Sequence, residues 1–130
     1  MDPIQRYKYL VFSLTPDVLV KFYTDTLGLS ISRQLNIPND YGYDVAVGDG
    51  STIWIGKHDK VAAKNPDPYR HIINLYVNSV SGWYEKVKSH PEVTIVCEPE
   101  LMPGYTEENP RYVSTFLDPE GNCLQFMGGK

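Results

Sequence analysis

The chain has 130 residues, which is enough for one domain of ordinary size and too few for two independent ones. Apolar residues make up 42% and charged residues 22%, and these proportions argue against wholesale disorder and against a fibrous rod. The net charge of −4 lacks the basic excess of a nucleic-acid binder, and no apolar run is long enough to cross a membrane. Two cysteines are too few for a disulfide scaffold, and no basic patch precedes an apolar stretch at the N-terminus, so we expect a cytoplasmic protein.

The first half of the chain predicts the element order β-α-β-β-β. Residues 6–14 are rich in β-forming side chains, and Thr15 followed by Pro16 is typical of a helix start. Apolar residues then recur at helical spacing as far as Gly28, which suits the left-handed residue at a helix end. Three strand-like runs follow, at 30–37, 43–47 and 51–55.

The second half repeats this order after a polar linker at 57–70. A strand is predicted at 71–77, and the next helix begins at the cap Ser79 and stops at His90. Three strands follow, at 92–97, 111–117 and 123–127, separated by an acidic loop at 98–110 and a turn at 118–122.

We therefore predict a single α+β domain made of two βαβββ modules, at 1–56 and 71–130. The helix caps Thr15 and Ser79 are 64 residues apart, about half the chain. A module of about 60 residues cannot easily bury its sheet alone. The modules are therefore expected to pair into a curved mixed β-sheet with a cleft.

Three stretches resemble the vicinal oxygen chelate superfamily, which contains glyoxalase I, bleomycin-resistance proteins and extradiol dioxygenases. Residues 22–29, FYTDTLGL, are similar to the family's helix end, and residues 76–80, YVNSV, resemble its second strand-to-helix junction. Residues 116–126, FLDPEGNCLQF, resemble its closing hairpin and are the most specific of the three. The resemblance implies the glyoxalase/bleomycin-resistance fold and a homodimer, in which modules are paired within one chain or exchanged between two.

Metal-dependent members of this family hold a divalent ion with His, Glu or Gln side chains from four strands. Carried over to this chain, the four positions fall at Lys8, Trp54, Ile72 and Gln125. Only Gln125 offers a ligand atom, since Lys8 is a cation and Trp54 cannot coordinate a hard cation. His71 adjoins Ile72, but alternation points it to the opposite face unless a bulge intervenes. We therefore predict no metal site, and no catalytic residue is assigned.

The same positions indicate a ligand-binding surface. Trp54 offers a flat ring for stacking, and plain core packing is the competing interpretation. Alternation places Asn74 and Tyr76 on the cleft face, where they and Gln125 can form hydrogen bonds with a ligand. Lys8 completes the predicted set. Trp83, by contrast, lies at helical spacing and is expected in the helix–sheet core.

The sequence thus predicts a small-molecule-binding protein of the bleomycin-resistance type, with neither metal nor cofactor. It would sequester an aromatic or peptide-like compound such as an antibiotic. The acidic loop at 98–110 either is simply solvated or attracts a cationic ligand. Nucleic acid and membranes are not expected partners. The alternative is a metal-dependent glyoxalase-like lyase or dioxygenase acting on a small metabolite, and metal-free catalysis is a third hypothesis.

Overall fold

Each half of the chain folds into a four-stranded mixed β-sheet with helices, in a computed structural model that describes all 130 residues. The two units are Met1–Lys64 and Asn65–Lys130. The α+β class and the doubled βαβββ order predicted from the sequence are confirmed. None of the helices has the length and apolar character that crossing a bilayer requires.

The first unit begins with an edge strand and a short helix. Its elements are β1 (Tyr9–Phe12), α1 (Pro16–Lys21), a π-helical turn (Phe22–Thr26), β2 (Ser30–Ile37), β3 (Asp40–Ala46) and β4 (Thr52–Gly56). The sheet order is β1-β4-β3-β2, in which β1 runs parallel to β4 and the other pairs are antiparallel. Strand β2 has the predicted bounds, whereas β1 is shorter than the predicted 6–14.

The first helix differs from its prediction in two respects. The Thr15 side chain makes no capping hydrogen bond, and Pro16 alone marks the start. After Lys21 the helix widens into the π-turn, where the Leu27 N–H donates to the Phe22 carbonyl over 3.1 Å. Gly28 then has a φ of 73°, so the predicted left-handed end is confirmed.

The second unit has the same sheet order. Its elements are a 3-10 turn (Pro68–Arg70), β5 (Ile72–Val77), α2 (Val80–Lys88), β6 (Thr94–Leu101), β7 (Tyr112–Leu117) and β8 (Cys123–Gly128). The strands lie in the order β5-β8-β7-β6, with β5 parallel to β8. The Gly82 N–H donates to Ser79 Oγ over 3.1 Å, so the predicted cap of α2 is confirmed.

The acidic loop predicted at 98–110 is shorter than expected. Strand β6 continues to Leu101, so that Glu98 and Glu100 belong to a strand. Proline at position 99 suggests a loop, but β6 is the outer strand of its sheet, and an edge strand tolerates a missing donor. A register shift between Cys97 and Glu100 accommodates it.

In each unit the helix covers one face of the sheet. Tyr43, on the same face as the fully buried Val45 and Ile55, donates its hydroxyl proton to Asp17 of α1. In the second unit the Trp83 ring of α2 lies 5.5 Å from the buried Phe126 ring. Trp83 thus packs between helix and sheet as predicted, but it is half-buried and lies at the border of the core. The opposite face of each sheet, which we call the helix-free face, carries the predicted binding residues.

The closing turn at 118–122 is organised by one buried carboxylate. Asp118 Oδ1 accepts the backbone N–H of Glu120 at 2.8 Å and of Asn122 at 3.0 Å. The Asn122 side-chain amide donates to Oδ2 over 2.9 Å, and Gly121 has a φ of 82°. These bonds fix the register with which β8 returns along β7, as predicted for this hairpin.

We expect Asp118→Ala to destabilise the protein by about 1–3 kcal/mol, because it leaves buried N–H donors unpaired. The matched control Asp118→Asn keeps an acceptor oxygen and should lose clearly less. Urea denaturation of the two variants and the wild type measures both effects. Equal losses in the two variants would show that the carboxylate does not hold the turn through these bonds.

Candidate functional site

The indole of Trp54 is packed against its own sheet. Trp54 lies on the helix-free face of the first sheet and only 5% of it is exposed. Its ring covers Gly56 and Gly42, which are partners in the β3–β4 register. A Cβ at Gly56 would overlap indole Nε1, and one at Gly42 would lie 2.7 Å from indole Cζ2. The face predicted from alternation is therefore occupied by Trp54, but as a buried side chain and not as an open stacking surface.

Two cations lie over this indole. Lys8 Nζ is 5.8 Å from the ring centroid, and the guanidinium carbon of Arg33 is 5.6 Å from it. Both cations bind the same carboxylate, that of Asp44, which faces Trp54 across the β3–β4 register. Lys8 Nζ is 2.5 Å from Asp44 Oδ1, and Arg33 Nε is 2.9 Å from Oδ2. We call Lys8, Arg33, Asp44 and Trp54 the charged quartet.

The carboxylate of the quartet is ionised although its side chain is only 8% exposed. Desolvation by burial acts to raise the pKa of Asp44, but hydrogen bonds and charge attraction from Lys8 and Arg33 outweigh it. The net effect lowers the pKa below its ordinary value of 3.8. Sequence reasoning identified Lys8 and Trp54 but missed Arg33 and Asp44, since nothing in the sequence pairs β2 with β3 in register.

The second sheet has a neutral row on its helix-free face. Asn74, Gln125 and Thr115 are neighbours across β5, β8 and β7. Thr115 Oγ1 donates to Gln125 Oε1 over 3.4 Å, and Asn74 Nδ2 lies 3.9 Å from Met127 Sδ. Asn74 Oδ1 is buried without a hydrogen-bond partner. The structure thus brings the predicted Asn74 and Gln125 together, and one of them has an unused acceptor.

Tyr76 lies two residues further along β5, beside Met127 in the next row, and is mostly exposed. Arg111 is placed over two tyrosines, with its guanidinium carbon 5.9 Å from the Tyr76 ring and 5.7 Å from the Tyr105 ring. Sequence reasoning did not identify Arg111, which stands just after the loop.

The cysteines of the second unit offer no thiolate at neutral pH. Burial raises the pKa of Cys123, and burial together with Glu100 raises the pKa of Cys97. Cys97 donates its thiol proton to the Glu98 carbonyl over 3.1 Å. A nucleophilic or metal-binding cysteine requires the opposite shift.

The residues predicted to stand at the family's four metal-ligand positions do not offer a set of metal-binding atoms. Lys8 is a protonated ammonium in an ion pair, and the indole of Trp54 has an N–H donor but no free lone pair. Ile72 has a hydrocarbon side chain, which leaves Gln125 as the single donor of a metal-binding type. No group of three or more His, Cys, Asp or Glu side chains lies close enough together to hold an ion.

The acidic residues predicted to attract a cation are engaged separately. Glu98 accepts the Tyr84 hydroxyl at 3.1 Å, and Glu107 accepts the Tyr112 hydroxyl at 2.9 Å. Two of the predicted carboxylates, those of Glu98 and Glu107, are therefore each paired with a different tyrosine.

The first unit also has a groove of about 1010 Å³ beside the start of α1. Leu14, Val18 and Ile37 form apolar parts of its wall. Asp17 lies in the wall as well, and accepts the hydroxyls of Tyr41 and Tyr43, which lower the pKa of Asp17. The groove was not predicted from the sequence, because it is formed by segments far apart in the chain.

Comparison with known proteins agrees with this fold. Residues 9–126 match the Glyoxalase/Bleomycin resistance protein/Dioxygenase superfamily, and the chain belongs to that family. None of the curated proteins compared with it gives a match.

Three similar solved structures illustrate the range of the fold. A hypothetical protein of S. aureus is 22% identical with a TM-score of 0.76, over 98% of this chain and 95% of its own. A superfamily member from Sphaerobacter thermophilus is 20% identical with a TM-score of 0.71, over 95% and 97%. The trypanothione-dependent glyoxalase I of Leishmania major is 21% identical with a TM-score of 0.69, over 93% and 84%. At these identities the likeness establishes the fold alone.

Gly56→Ala should force the Trp54 indole off the sheet and destabilise the protein by about 1–3 kcal/mol. Fluorescence in a Trp83→Phe background should show a red-shifted emission from Trp54, because its ring moves into water. Gly48→Ala is the matched control, since a Cβ there meets nothing within 4 Å. An unchanged emission maximum in Gly56→Ala would contradict the placement of the indole.

Asp44 should make stability depend on pH in the acidic range. Its folded-state pKa is lowered, so its contribution is fully present above the unfolded value of 3.8 and is lost as the pH falls through the folded value. The stability difference between wild type and Asp44→Asn should therefore be largest near neutral pH and shrink below about pH 4. Denaturant unfolding across this range measures it, and a constant difference would contradict the ion-pair assignment.

Proposed function

We propose that the protein binds a small organic molecule on the helix-free face of its first sheet and does not transform it. The observation that carries this proposal is the charged quartet. Lys8 and Trp54 stand at positions where metal-dependent family members are expected to hold an ion. Here Lys8 lies over the Trp54 ring and forms an ion pair with Asp44, so these positions are filled by side chains that offer no open coordination site.

The quartet has the composition of a ligand-binding surface. Trp54 forms a rigid floor, and its β1 neighbour Leu10 is 48% exposed and offers apolar area. Lys8 and Arg33 are long, partly exposed side chains that can shift to admit a ring against the indole. Affinity would come from burial of apolar surface and from a few placed polar groups.

The second sheet adds polar contacts of its own. Asn74 Oδ1 is a buried acceptor without a partner, and a donor on a ligand would satisfy it. Gln125 and the exposed Tyr76 hydroxyl offer both donors and acceptors. We propose these three residues as ligand-binding groups of the second unit. Sequestration of an aromatic or peptide-like compound such as an antibiotic, by a homodimer, is the activity that fits these contacts.

Catalysis by the residues of the quartet is disfavoured by their bonding. A general base needs a lone pair directed at the substrate, but both oxygens of Asp44 are engaged by cations. The metal-dependent lyase or dioxygenase alternative needs several ligands, and of the four family positions only Gln125 supplies one. These observations support a binding protein over an enzyme.

Trp54→Phe should weaken the binding of aromatic compounds several-fold, since a smaller ring loses about 0.5–1.5 kcal/mol of aromatic contact. A panel of aromatic amides, acids and amines is screened by thermal shift, and each binder is then titrated calorimetrically. Trp83→Phe is the matched control, because its ring packs on Phe126 between helix and sheet, on the other face of the second sheet. Binders whose affinity falls only in Trp83→Phe would place the ligand elsewhere.

Metal content tests the same proposal against its alternative. We expect purified, dialysed protein to contain far less than one transition-metal ion per chain by elemental analysis. One tightly held zinc, nickel, iron or manganese ion per chain would reverse the proposal in favour of the enzyme.

Light scattering should give about twice the chain mass of 14.8 kDa for the proposed dimer.

A further inference from the structure

The charged quartet carries a net positive charge in front of a buried aromatic floor. Lys8 and Arg33 contribute two positive charges, and Asp44 contributes one negative charge. Each oxygen of the Asp44 carboxylate is already paired with a cation, so neither oxygen is left to interact with a ligand. No other acidic side chain forms an ion pair with Lys8 or Arg33. A ligand arriving at this face therefore meets an excess positive charge.

Arg33 retains most of its hydrogen-bonding capacity. A guanidinium has five N–H donors, and Arg33 uses Nε–H for Asp44 Oδ2. Its terminal Nη groups form no hydrogen bond in the structure, and 55% of the side chain is exposed. The bond from Nε to Asp44 restrains one edge of the guanidinium. The two terminal Nη groups of a guanidinium can bind a planar oxyanion with two parallel hydrogen bonds.

Lys8 provides a second cation at the same place. Its side chain is 38% exposed, and its ammonium group keeps donors beyond the one that faces Asp44. Lys8 and Arg33 bind opposite oxygens of one carboxylate, and both lie over the same indole. The exposed Leu10 adjoins Trp54 and supplies apolar area for the rest of a ligand.

From this arrangement we infer that the ligand of the first sheet is an aromatic or apolar carboxylate, with its carboxylate bound by Arg33 and Lys8. This inference rests on the proposed small-molecule function and specifies the class of ligand. It departs from the cationic ligand suggested by the acidic stretch of the sequence. A ligand cation over the indole would have to displace Lys8 and Arg33, and would then face like charges.

Three single-ring probes of similar size differ in their charge: benzoate, the neutral benzamide and the cationic benzylammonium. Each is titrated into the full chain while the side-chain N–H resonances of Trp54 and Arg33 are followed by NMR. We expect benzoate to bind about tenfold more tightly than benzamide, because its hydrogen bonds are charge-assisted. Benzylammonium should bind most weakly of the three.

Variants at Arg33 test whether this residue is responsible for the preference for benzoate over benzamide. Arg33→Gln should remove the advantage of benzoate over benzamide, and Arg33→Lys, which keeps the charge without the fork, should retain part of it. Arg70→Gln is the matched control. Arg70 makes the same Nε-to-carboxylate bond, to Asp67 at 2.8 Å, but on an exposed turn without an indole. This variant should preserve the full benzoate preference.

The results separate a failure of the inferred ligand class from a failure of the proposed binding function. If benzamide or benzylammonium shifts the Trp54 resonance with an affinity equal to that of benzoate, the ligand class is wrong and the binding face stands. If the benzoate preference survives in Arg33→Gln, the assignment to Arg33 is overturned. If none of the three probes shifts that resonance up to about 20 mM, both the inference and the binding face are rejected.

Discussion

The ionised carboxylate of Asp44 is the constraint on which the helix-free face of the first sheet depends. A carboxylate with so little exposure is costly unless each oxygen has a strong donor. Lys8 and Arg33 meet this need from outside the strand that carries Asp44. The position of both cations over the indole of Trp54 then follows, because Asp44 and Trp54 are direct register partners.

The glycines beneath the Trp54 ring are equally necessary. The cations can lie over the indole only if the ring is flat against the sheet, and a flat ring requires positions without side chains beneath it. Gly42 and Gly56 provide this space as a register pair, so one residue from each of two consecutive strands makes room for the same side chain. Burial of Trp54 is thus a property of the pairing of β3 with β4.

This dependence on register explains what could and could not be predicted from sequence. Alternation along single strands correctly placed Asn74 and Gln125 on one face, because a period of two needs no partner strand. The burial of Trp54 and the roles of Arg33 and Asp44 depend on which residues meet across strands, and composition does not encode that. The strand bounds failed at Pro99 for a related reason, since its tolerance depends on β6 being an edge strand.

The two units repeat a topology but not a chemistry. In the first sheet, one row across the strands consists of Leu10, Trp54, Asp44 and Arg33. The corresponding row of the second sheet consists of Asn74, Gln125, Thr115 and Cys97.

The next row on the same face also differs between the two sheets. In the first sheet it contains the glycine pair Gly56 and Gly42, whereas in the second it contains Met127 and Val113. An indole at the position of Gln125 would meet these side chains where Trp54 meets glycine. The seat for a flat, cation-covered ring therefore exists only in the first unit, and the neutral amide row exists only in the second. The two units share one strand order, and the side-chain volume in this row decides which of them has room for a flat indole.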